Sequence, residues 1–393
     1  MWQVVRQWRA LPSYALVMQS PNTKPEPTAQ PMRDVILVFL KIGVTAFGGP
    51  PAHMAMMEEE CVNRRGWISR ERFLDFLGAV NLLPGPNSTE MAIYLGYVRA
   101  GWAGLLLGGI CFILPSAIFV TALAWAYTRY GSLPQLNSFL YAVKPVIIAI
   151  IARALWRYSV AALRTRLLDA IALAATVVGL FVPHPVWLLI AAAAISATVA
   201  AATNPQKNPT AAALFLVPKS VGLSSLFLYF LKIGSILFGS GYVLFAFLRT
   251  DLVDNWHWVT NSQLLDAVAV GQVTPGPLST AATFLGYILA GPLGAFVATV
   301  AMFLPAFVYV AISEPLVRAL RRSRIASAAL DGIIAASVAL IAVVTIQLGR
   351  AAVIDLPTIL IFVGSFAVLT WTRLNSAWLI LAAGLVGSVF LHR

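Results

Sequence analysis

Charged residues are scarce in this sequence: Asp, Glu, Lys and Arg make up 11% of its 393 residues, whereas 60% are hydrophobic. Soluble proteins carry about 25% charged residues, so the composition excludes a water-soluble domain. The runs 185–202 and 356–371 contain no charge at all. A helix of about 20 apolar residues crosses a bilayer, and the alternating pattern of a membrane β-barrel is absent. The sequence therefore predicts an all-α polytopic membrane protein in contact with the lipid bilayer.

The residues of metal, redox and catalytic sites are scarce as well. The chain has four histidines, and its two cysteines, Cys61 and Cys111, lack the spacing of a zinc site or a disulfide framework. The sequence contains no ATP-binding P-loop, no H-E-x-x-H motif and no nucleophile elbow. We therefore expect no cofactor, no metal and no enzymatic activity.

The chain is a tandem duplication. The sequence FLKIG at 39–43 recurs at 230–234, and Pro-Gly-Pro followed by Ser-Thr occurs at 84–89 and again at 275–280. A self-similarity of this kind indicates two copies of one structural unit. We predict an N-terminal lead-in at 1–33, a first repeat at 34–202, a linker at 203–222 and a second repeat at 223–393.

Each repeat contains six apolar segments. They cover 34–49, 72–98, 102–128, 137–158, 167–183 and 185–202 in the first repeat, and 224–240, 263–289, 292–313, 325–347, 356–371 and 376–391 in the second. The second segment of each repeat is broken by its Pro-Gly-Pro triplet.

The net charge of the chain is +12, and the basic loop occupies a different position in each repeat. In repeat one the basic loop follows the first segment, with Arg64, Arg65, Arg70 and Arg72, and in repeat two it follows the third, with Arg318, Arg321, Arg322 and Arg324. Basic loops set the orientation of membrane helices, so this charge does not indicate nucleic acid. The swap predicts inverted repeats, each with an odd number of crossings and a re-entrant hairpin at the broken segment.

The two breaks are candidate anion sites. Proline ends a helix, and the helix that restarts after it presents N–H groups at a positive dipole end. Broken helices at matching positions of two repeats are typical of a transporter's substrate site, although a packing kink is the alternative. The candidate residues are Pro84, Gly85, Pro86, Asn87, Ser88 and Thr89 in repeat one, and Pro275, Gly276, Pro277, Leu278, Ser279 and Thr280 in repeat two.

Two lysines at equivalent positions, Lys41 and Lys232, lie in apolar segments. A membrane-embedded lysine normally faces a cavity or a partner, although these segments are short enough for the side chains to reach the interface. We hypothesise that both lysines meet the two restarted helices and bind a small dianion. The glycines that follow, Gly48, Gly49 and Gly239 with Ser240 beside it, allow close approach of the backbone to a ligand or to another helix.

Four side chains are candidates for coupling transport to protons. His53 precedes the first basic loop and either relays protons or makes hydrogen bonds at the interface. Asp75 and Asp266 are equivalent, and each either pairs with loop arginines or carries a proton. Glu90 has Ala281 as its counterpart, and this asymmetry makes it a candidate proton carrier.

The stretches at 47–97 and 238–287 resemble the two halves of the chromate transporter family. This resemblance implies a bacterial inner-membrane protein with two oppositely oriented domains that exports chromate, with sulfate as a related oxyanion. The family's Gly-Gly-Pro-x-Ala-His element corresponds to Gly48, Gly49, Pro50, Ala52 and His53. Ser240, where the family usually has glycine, and the additional Pro51 depart from the pattern and leave the substrate preference open.

We therefore expect a secondary active transporter that moves an oxyanion by alternating access, with protons or a counter-anion as the coupled species and a homodimer as a candidate assembly. A passive anion channel is the alternative, and a membrane-embedded enzyme is the alternative from another class.

Overall fold

The fold is described by a computed structural model for residues 30–47, 49–80, 83–130, 134–181, 185–202, 222–238, 241–313, 323–372 and 374–390. Within these ranges all regular structure is helical. The α-helices are α1 Pro31–Thr45, α2 Pro50–Met57, α3 Arg70–Val80, α4 Asn87–Tyr130, α5 Pro134–Ala162, α6 Arg166–Phe181, α7 Pro185–Ala202, α8 Leu223–Ile236, α9 Val243–Leu248, α10 Asn261–Val273, α11 Ala281–Ala311, α12 Arg324–Ala352, α13 Leu356–Trp371 and α14 Ser376–Phe390. Most of the lead-in, all but one residue of the linker, and Gly48, Gly239 and Ser240 lie outside the described residues.

Local sequence explains where several helices begin. Proline occupies the first turn of α1 and α2, where its missing N–H costs nothing. At the start of α10 the Thr260 side chain accepts from the N–H of Gln263, whose side chain accepts from the Thr260 N–H. This capping box satisfies two N–H groups that the helix leaves unpaired.

The duplication extends to irregular details of the helices. Helix α2 continues as a π-helix at Glu58–Arg64, and α9 continues as a π-helix at the equivalent Arg249–Asn255. Single π-helical turns are rare and occur often at functional sites. Their recurrence at matching positions shows that the two repeats share their conformation as well as their sequence.

Within the described part of the chain, four helical stretches are long and apolar enough to cross a membrane: Asn87–Tyr130, Ser138–Ala162, Leu278–Ala311 and Ile325–Ala352. Shorter apolar helices lie at Pro185–Ala201, Leu223–Ile236, Leu356–Trp371 and Ser376–Val389. The composition predicted this abundance of apolar helices, and the expectation of an all-α membrane protein is confirmed.

Helices α4 and α11 are hairpins rather than single rods. The backbone leaves the helical conformation at Ala100–Gly101 in α4 and at Ala290–Gly291 in α11, with φ of 60° at Gly101 and 64° at Gly291. The two arms of α4 then pack so closely that a methyl group on Gly96 or Gly104 would overlap the backbone carbonyl of the other. Gly286 and Gly294 have the same relation in α11. Small residues permit this close packing of helices.

The broken segments are re-entrant. The rings of Phe76 on α3 and Tyr94 on the first arm of α4 stack with centroids 3.4 Å apart, whereas a straight helix would hold residues 76 and 94 about 27 Å apart. The chain therefore reverses at Pro84-Gly85-Pro86. In repeat two, Tyr127 contacts both Asp266 on α10 and Phe284 on the first arm of α11. The re-entrant hairpins expected from the sequence are confirmed, with each Pro-Gly-Pro triplet at a tip.

The two repeats run in opposite directions. Successive residues on the second arm of α4 contact residues of repeat two that lie ever closer to the turn of α11 at Gly291: Gly109 contacts Phe307, Ser116 contacts Thr280, which directly precedes α11, and Tyr127 contacts Phe284. The second arm of α11 leads away from that turn, so the two equivalent arms are antiparallel. This orientation is that of inverted repeats, as the loop charges predicted.

The last two helices of each repeat pack on a helix of the other repeat. Helices α6 and α7 pack on α12, and α13 and α14 pack on α5, while α5 and α12 pack on each other. By contrast, α1 packs on α4 and α8 packs on α11 within their own repeats. We call α1–α4 with α8–α11 the hairpin module, and α5–α7 with α12–α14 the exchanged module.

The exchanged module contacts the hairpin module mainly on the side of repeat two. Helix α12 packs on α9, and α5 and α14 pack on α10, whereas α2 and α3 make no comparable contact with it among the described residues. As a result Leu265 is 1% exposed and Val268 is fully buried, while their counterparts Leu74 and Leu77 are only half-buried. The two inverted repeats therefore occupy different environments in one structure.

Candidate functional site

The two Pro-Gly-Pro tips meet the opposite repeat at its centre. The Gly85 N–H donates to the carbonyl of Leu237 at 2.7 Å, and the Gly276 N–H donates to the carbonyl of Ala46 at 3.1 Å. Ala46 and Leu237 directly follow the last residues of α1 and α8. Each re-entrant tip is thus joined to the end of the lysine-bearing helix of the other repeat by an equivalent hydrogen bond.

Glycine is required at both tips. Gly85 has φ of 149° and Gly276 has φ of 94°, a region that other residues rarely adopt. A β-carbon on Gly276 would also lie 2.8 Å from the β-carbon of Ser116, and one on Gly85 would lie 2.5 Å from Oε1 of Glu90. The flanking prolines of both triplets are buried, so the tips lie inside the protein.

The restart of the helix after the first tip carries three buried side chains without a hydrogen-bond partner among the described residues. Ser88 is 4% exposed, Thr89 and Glu90 are fully buried, and neither hydroxyl nor either carboxyl oxygen is paired. Buried polar groups are normally hydrogen-bonded. A concentration of exceptions at one helix N-terminus indicates a site whose partner is a ligand or a transferred proton.

The N–H groups at this restart were expected to be available to an anion, and the Thr89 N–H is an exception. The N–H groups of Thr89 and Glu90 donate to the Pro86 carbonyl at 2.8 and 3.1 Å, so the Thr89 N–H is already used. The donors left at this end of α4 are the hydroxyls of Ser88 and Thr89 and the N–H groups at the first positions of the helix. Asn87, at the first position, is half-buried.

The restart after the second tip is satisfied internally. The Thr280 hydroxyl lies 3.0 Å from the Ser116 hydroxyl and donates to the Pro277 carbonyl at 2.8 Å, while the Thr280 N–H donates to the same carbonyl at 3.0 Å. Ser279 is buried beside it. Ser116 has Ala306 as its counterpart in repeat two, so this closure has no equivalent at the first tip.

The two lysines form equivalent ion pairs. Lys41 Nζ lies 2.7 Å from Oε1 of Glu60, and Lys232 Nζ lies 3.6 Å from Oδ2 of Asp251. The side chain of Lys41 is 50% exposed and that of Lys232 is 19% exposed. Each carboxylate belongs to the π-helical turn of its own repeat. The convergence of the two lysines on one anion stays a prediction.

Glu60 lies outside the spanning helices and forms ion pairs with three cations, Lys41, Arg64 and Arg65. The hydrogen bond from Lys41 and the charges of Arg64 and Arg65 hold the pKa of Glu60 below its usual value, and both arginines approach its carboxylate within 3.4 Å. A lowered pKa means that this cluster stabilises the fold above pH 4.5 and that the contribution is lost as the pH falls through the folded-state value.

His53 is buried rather than placed in an interfacial loop. It lies on α2, its Nε2 is 3.2 Å from the Ala46 carbonyl, and its ring meets that of Phe112 edge-on at 5.4 Å. The Ala46 carbonyl therefore accepts hydrogen bonds from both the Gly276 N–H and the His53 ring. Gly49, just before α2, has φ of 75° and allows the chain to turn back towards this point.

The equivalent aspartates have different environments. Asp266 is 1% exposed; the Tyr127 hydroxyl donates to it at 2.9 Å, and Lys144 on α5 lies 3.8 Å away. In the described structure the basic partner of Asp266 is thus a lysine of the exchanged module, and its pairing with a loop arginine stays a prediction. Asp75 on α3 is only half-buried.

Sequence reasoning missed several partners. Arg99 pairs with Asp34 at 2.7 Å and lies over the ring of Trp67 at 5.6 Å, and no pattern in the sequence connects these positions. Glu60 and Asp251 could have been found, because both repeats carry an acidic residue at this position. Among the residues that the structure describes, no group of three or more His, Cys, Asp or Glu side chains could hold a metal.

Comparison with known proteins identifies close relatives of the whole chain. A model of the chromate transporter family matches residues 33–197 and again 224–388. The chain is 33% identical to the chromate transport protein of Cupriavidus metallidurans, with 91% of this chain and 93% of that protein covered. It is 34% identical to the chromate transport protein of Pseudomonas aeruginosa, covering 89% and 90%. It is 32% identical to a probable chromate transport protein of Synechococcus elongatus, covering 92% and 96%. No solved structure matches the chain.

Proposed function

Because the chain belongs to the chromate transporter family, we propose that it is a secondary active transporter that exports chromate or a related oxyanion dianion, such as sulfate, across the bacterial inner membrane. The multi-pass helical architecture supports a transport role, and the names of the curated relatives refer to transport.

The substrate site is the junction of the two re-entrant tips. Tetrahedral oxyanions accept several hydrogen bonds, and helix N-termini attract them through their N–H groups and dipole. The unpaired hydroxyls of Ser88 and Thr89 supply donors in a setting where burial strengthens each charge-assisted bond. Lys41 and Lys232 contribute positive charge within their ion pairs.

Alternating access is supported by the unequal contacts of the two repeats. The exchanged module packs on α9 and α10 of repeat two and leaves α2 and α3 of repeat one comparatively uncovered. In a molecule built from inverted repeats, exchanging the two environments converts an opening on one side into an opening on the other. A passive anion channel needs no such exchange.

Transport of labelled chromate and sulfate into everted membrane vesicles tests this function. We expect accumulation above the external concentration when respiration generates a proton-motive force that is positive inside the everted vesicles, and loss of that accumulation when a protonophore is added. Vesicles without the protein should show neither. Equal uptake with and without the protein contradicts the transporter, whereas equilibration without accumulation supports the channel.

A further inference from the structure

The site at the first tip contains an acid as well as hydroxyl donors. Glu90 follows Ser88 and Thr89 directly, is fully buried, and neither of its carboxyl oxygens has a hydrogen-bond partner in the described structure. Its Oε1 lies against Gly85, since a β-carbon there would be 2.5 Å away. The carboxyl group therefore belongs to the same small space as the anion donors.

The charged groups on the elements that pack against α4 make no described hydrogen bond to Glu90. On α1, Lys41 pairs with Glu60 and Asp34 pairs with Arg99. On the other elements packed against α4, His53 of α2 bonds to a backbone carbonyl, Asp75 lies on α3, and Tyr309 of α11 donates to the Ser235 carbonyl. None of these gives Glu90 a cation.

A buried carboxylate without a cation or a donor is strongly disfavoured, so Glu90 carries its proton in this conformation. Glu90 must also be protonated when an oxyanion binds at this tip. A dianion at the Ser88 and Thr89 hydroxyls would be repelled by an ionised Glu90 in a medium that screens charge poorly, whereas a protonated Glu90 is neutral and can itself donate a hydrogen bond.

We propose that the first tip binds its oxyanion together with one proton, held on the carboxyl group of Glu90. This inference rests on the proposed function and names its coupled ion. The two ligands favour each other reciprocally: the proton raises the affinity for the anion, and the anion raises the affinity for the proton. The second tip has Ala281 at the position of Glu90 and takes no proton.

The stoichiometry determines the driving force. A dianion and one proton cross together with one net negative charge, so a membrane potential that is negative inside drives the pair outward. A pH gradient that is acidic outside opposes the same movement. Export is then powered by the electrical part of the proton gradient.

Simultaneous measurement of labelled sulfate flux and pH in proteoliposomes tests this coupling. The wild-type protein should move one proton with each sulfate, and Glu90→Gln should move sulfate without protons, because Gln is neutral at every pH. The matched control is Glu71→Gln, which removes an exposed carboxylate of the same repeat and should retain coupling. Continued proton movement in Glu90→Gln overturns the assignment to Glu90.

The outcomes separate the two proposals. If the wild-type protein moves sulfate with no protons, the coupling is wrong and the transport function stands. If it moves neither chromate nor sulfate, the proposed function itself fails.

If Glu90→Gln does not assemble, binding to the wild-type protein decides the question. Sulfate remains a dianion from neutral to alkaline pH, so its affinity should weaken about tenfold for each pH unit above the titration of Glu90. Glu71→Gln should follow the same slope. An affinity that does not change with pH overturns the inference.

Discussion

At the scale of single residues, the ion pairs of Lys41 and Lys232 bear on whether these lysines have a structural role or a role in transport. Lys41 donates a hydrogen bond to Glu60, and Lys232 lies within ion-pair distance of Asp251 in the other repeat. Exposed ion pairs contribute about 0–1 kcal/mol to stability, and Lys41 is half exposed. A purely structural pair would therefore be a weak reason to place a lysine in an apolar helix.

We expect Lys41→Gln to abolish chromate and sulfate transport while leaving membrane insertion unchanged, because the anion loses one of the two positive charges that the equivalent lysines supply. The measurement is uptake in everted vesicles together with the amount of protein in the membrane. The double variant Lys41→Glu with Glu60→Lys keeps the ion pair and reverses its direction. Recovery of transport in the double variant would contradict a role of Lys41 in anion binding.

At the scale of elements, glycine contacts hold the hairpin of α4 together. Gly96 on one arm and Gly104 on the other are in backbone contact, so a side chain at either position must separate the arms. The hairpin is what brings the first tip back towards the second arm. Loss of this contact would therefore disturb the candidate site as well as the fold.

We expect Gly96→Val to destabilise the purified protein by about 1–3 kcal/mol or more, as overpacking of a close interface does. Gly364→Val is the matched control, since a β-carbon at Gly364 of α13 meets nothing within 4 Å and the change in helix propensity is the same. Thermal unfolding in detergent measures both variants. Equal shifts of the unfolding midpoint would show that the hairpin contact adds no stability.

The element scale also shows where sequence reasoning reached its limit. The break at each Pro-Gly-Pro triplet could be predicted, because proline and glycine act on their own backbone. The second reversal, at Gly101 and Gly291, falls at the predicted boundary between the second and third apolar segments of each repeat. The sequence did not predict the backbone contact between Gly96 and Gly104, because this contact joins two segments whose packing no local pattern records.

At the scale of the whole molecule, the unequal cover of the two repeats predicts how labelling changes during transport. Leu265 is nearly buried under the exchanged module, whereas its counterpart Leu74 is half-buried. The two native cysteines, Cys61 and Cys111, are buried, so their own reaction with a thiol reagent should be slow.

We expect Leu74→Cys to react with a small maleimide several-fold faster than Leu265→Cys in the absence of substrate, because only the former is accessible. During turnover with chromate the two rates should converge, as the exchanged module moves from α10 towards α3. The wild-type protein, labelled in parallel, provides the background. Rates that rise or fall together would contradict an exchange between the two repeats.

Sequence reasoning alone recovered the class of the protein, the duplication, the opposite orientation of the repeats and the position of the two breaks. These properties follow from composition, loop charge and the backbone limits of proline and glycine, all of which act locally or along one helix. The lysines and Glu90 were recognised for the same reason, since a charge in an apolar segment is conspicuous wherever it lies.

The folded structure was needed to show which groups contact each other. It gave each lysine a carboxylate of its own repeat, closed the second tip with Ser116, and left Ser88, Thr89 and Glu90 unpaired at the first. It also exchanged the last helices between the repeats. Contacts of this kind join residues far apart in the chain, and their stability depends on packing and desolvation, which no local pattern records.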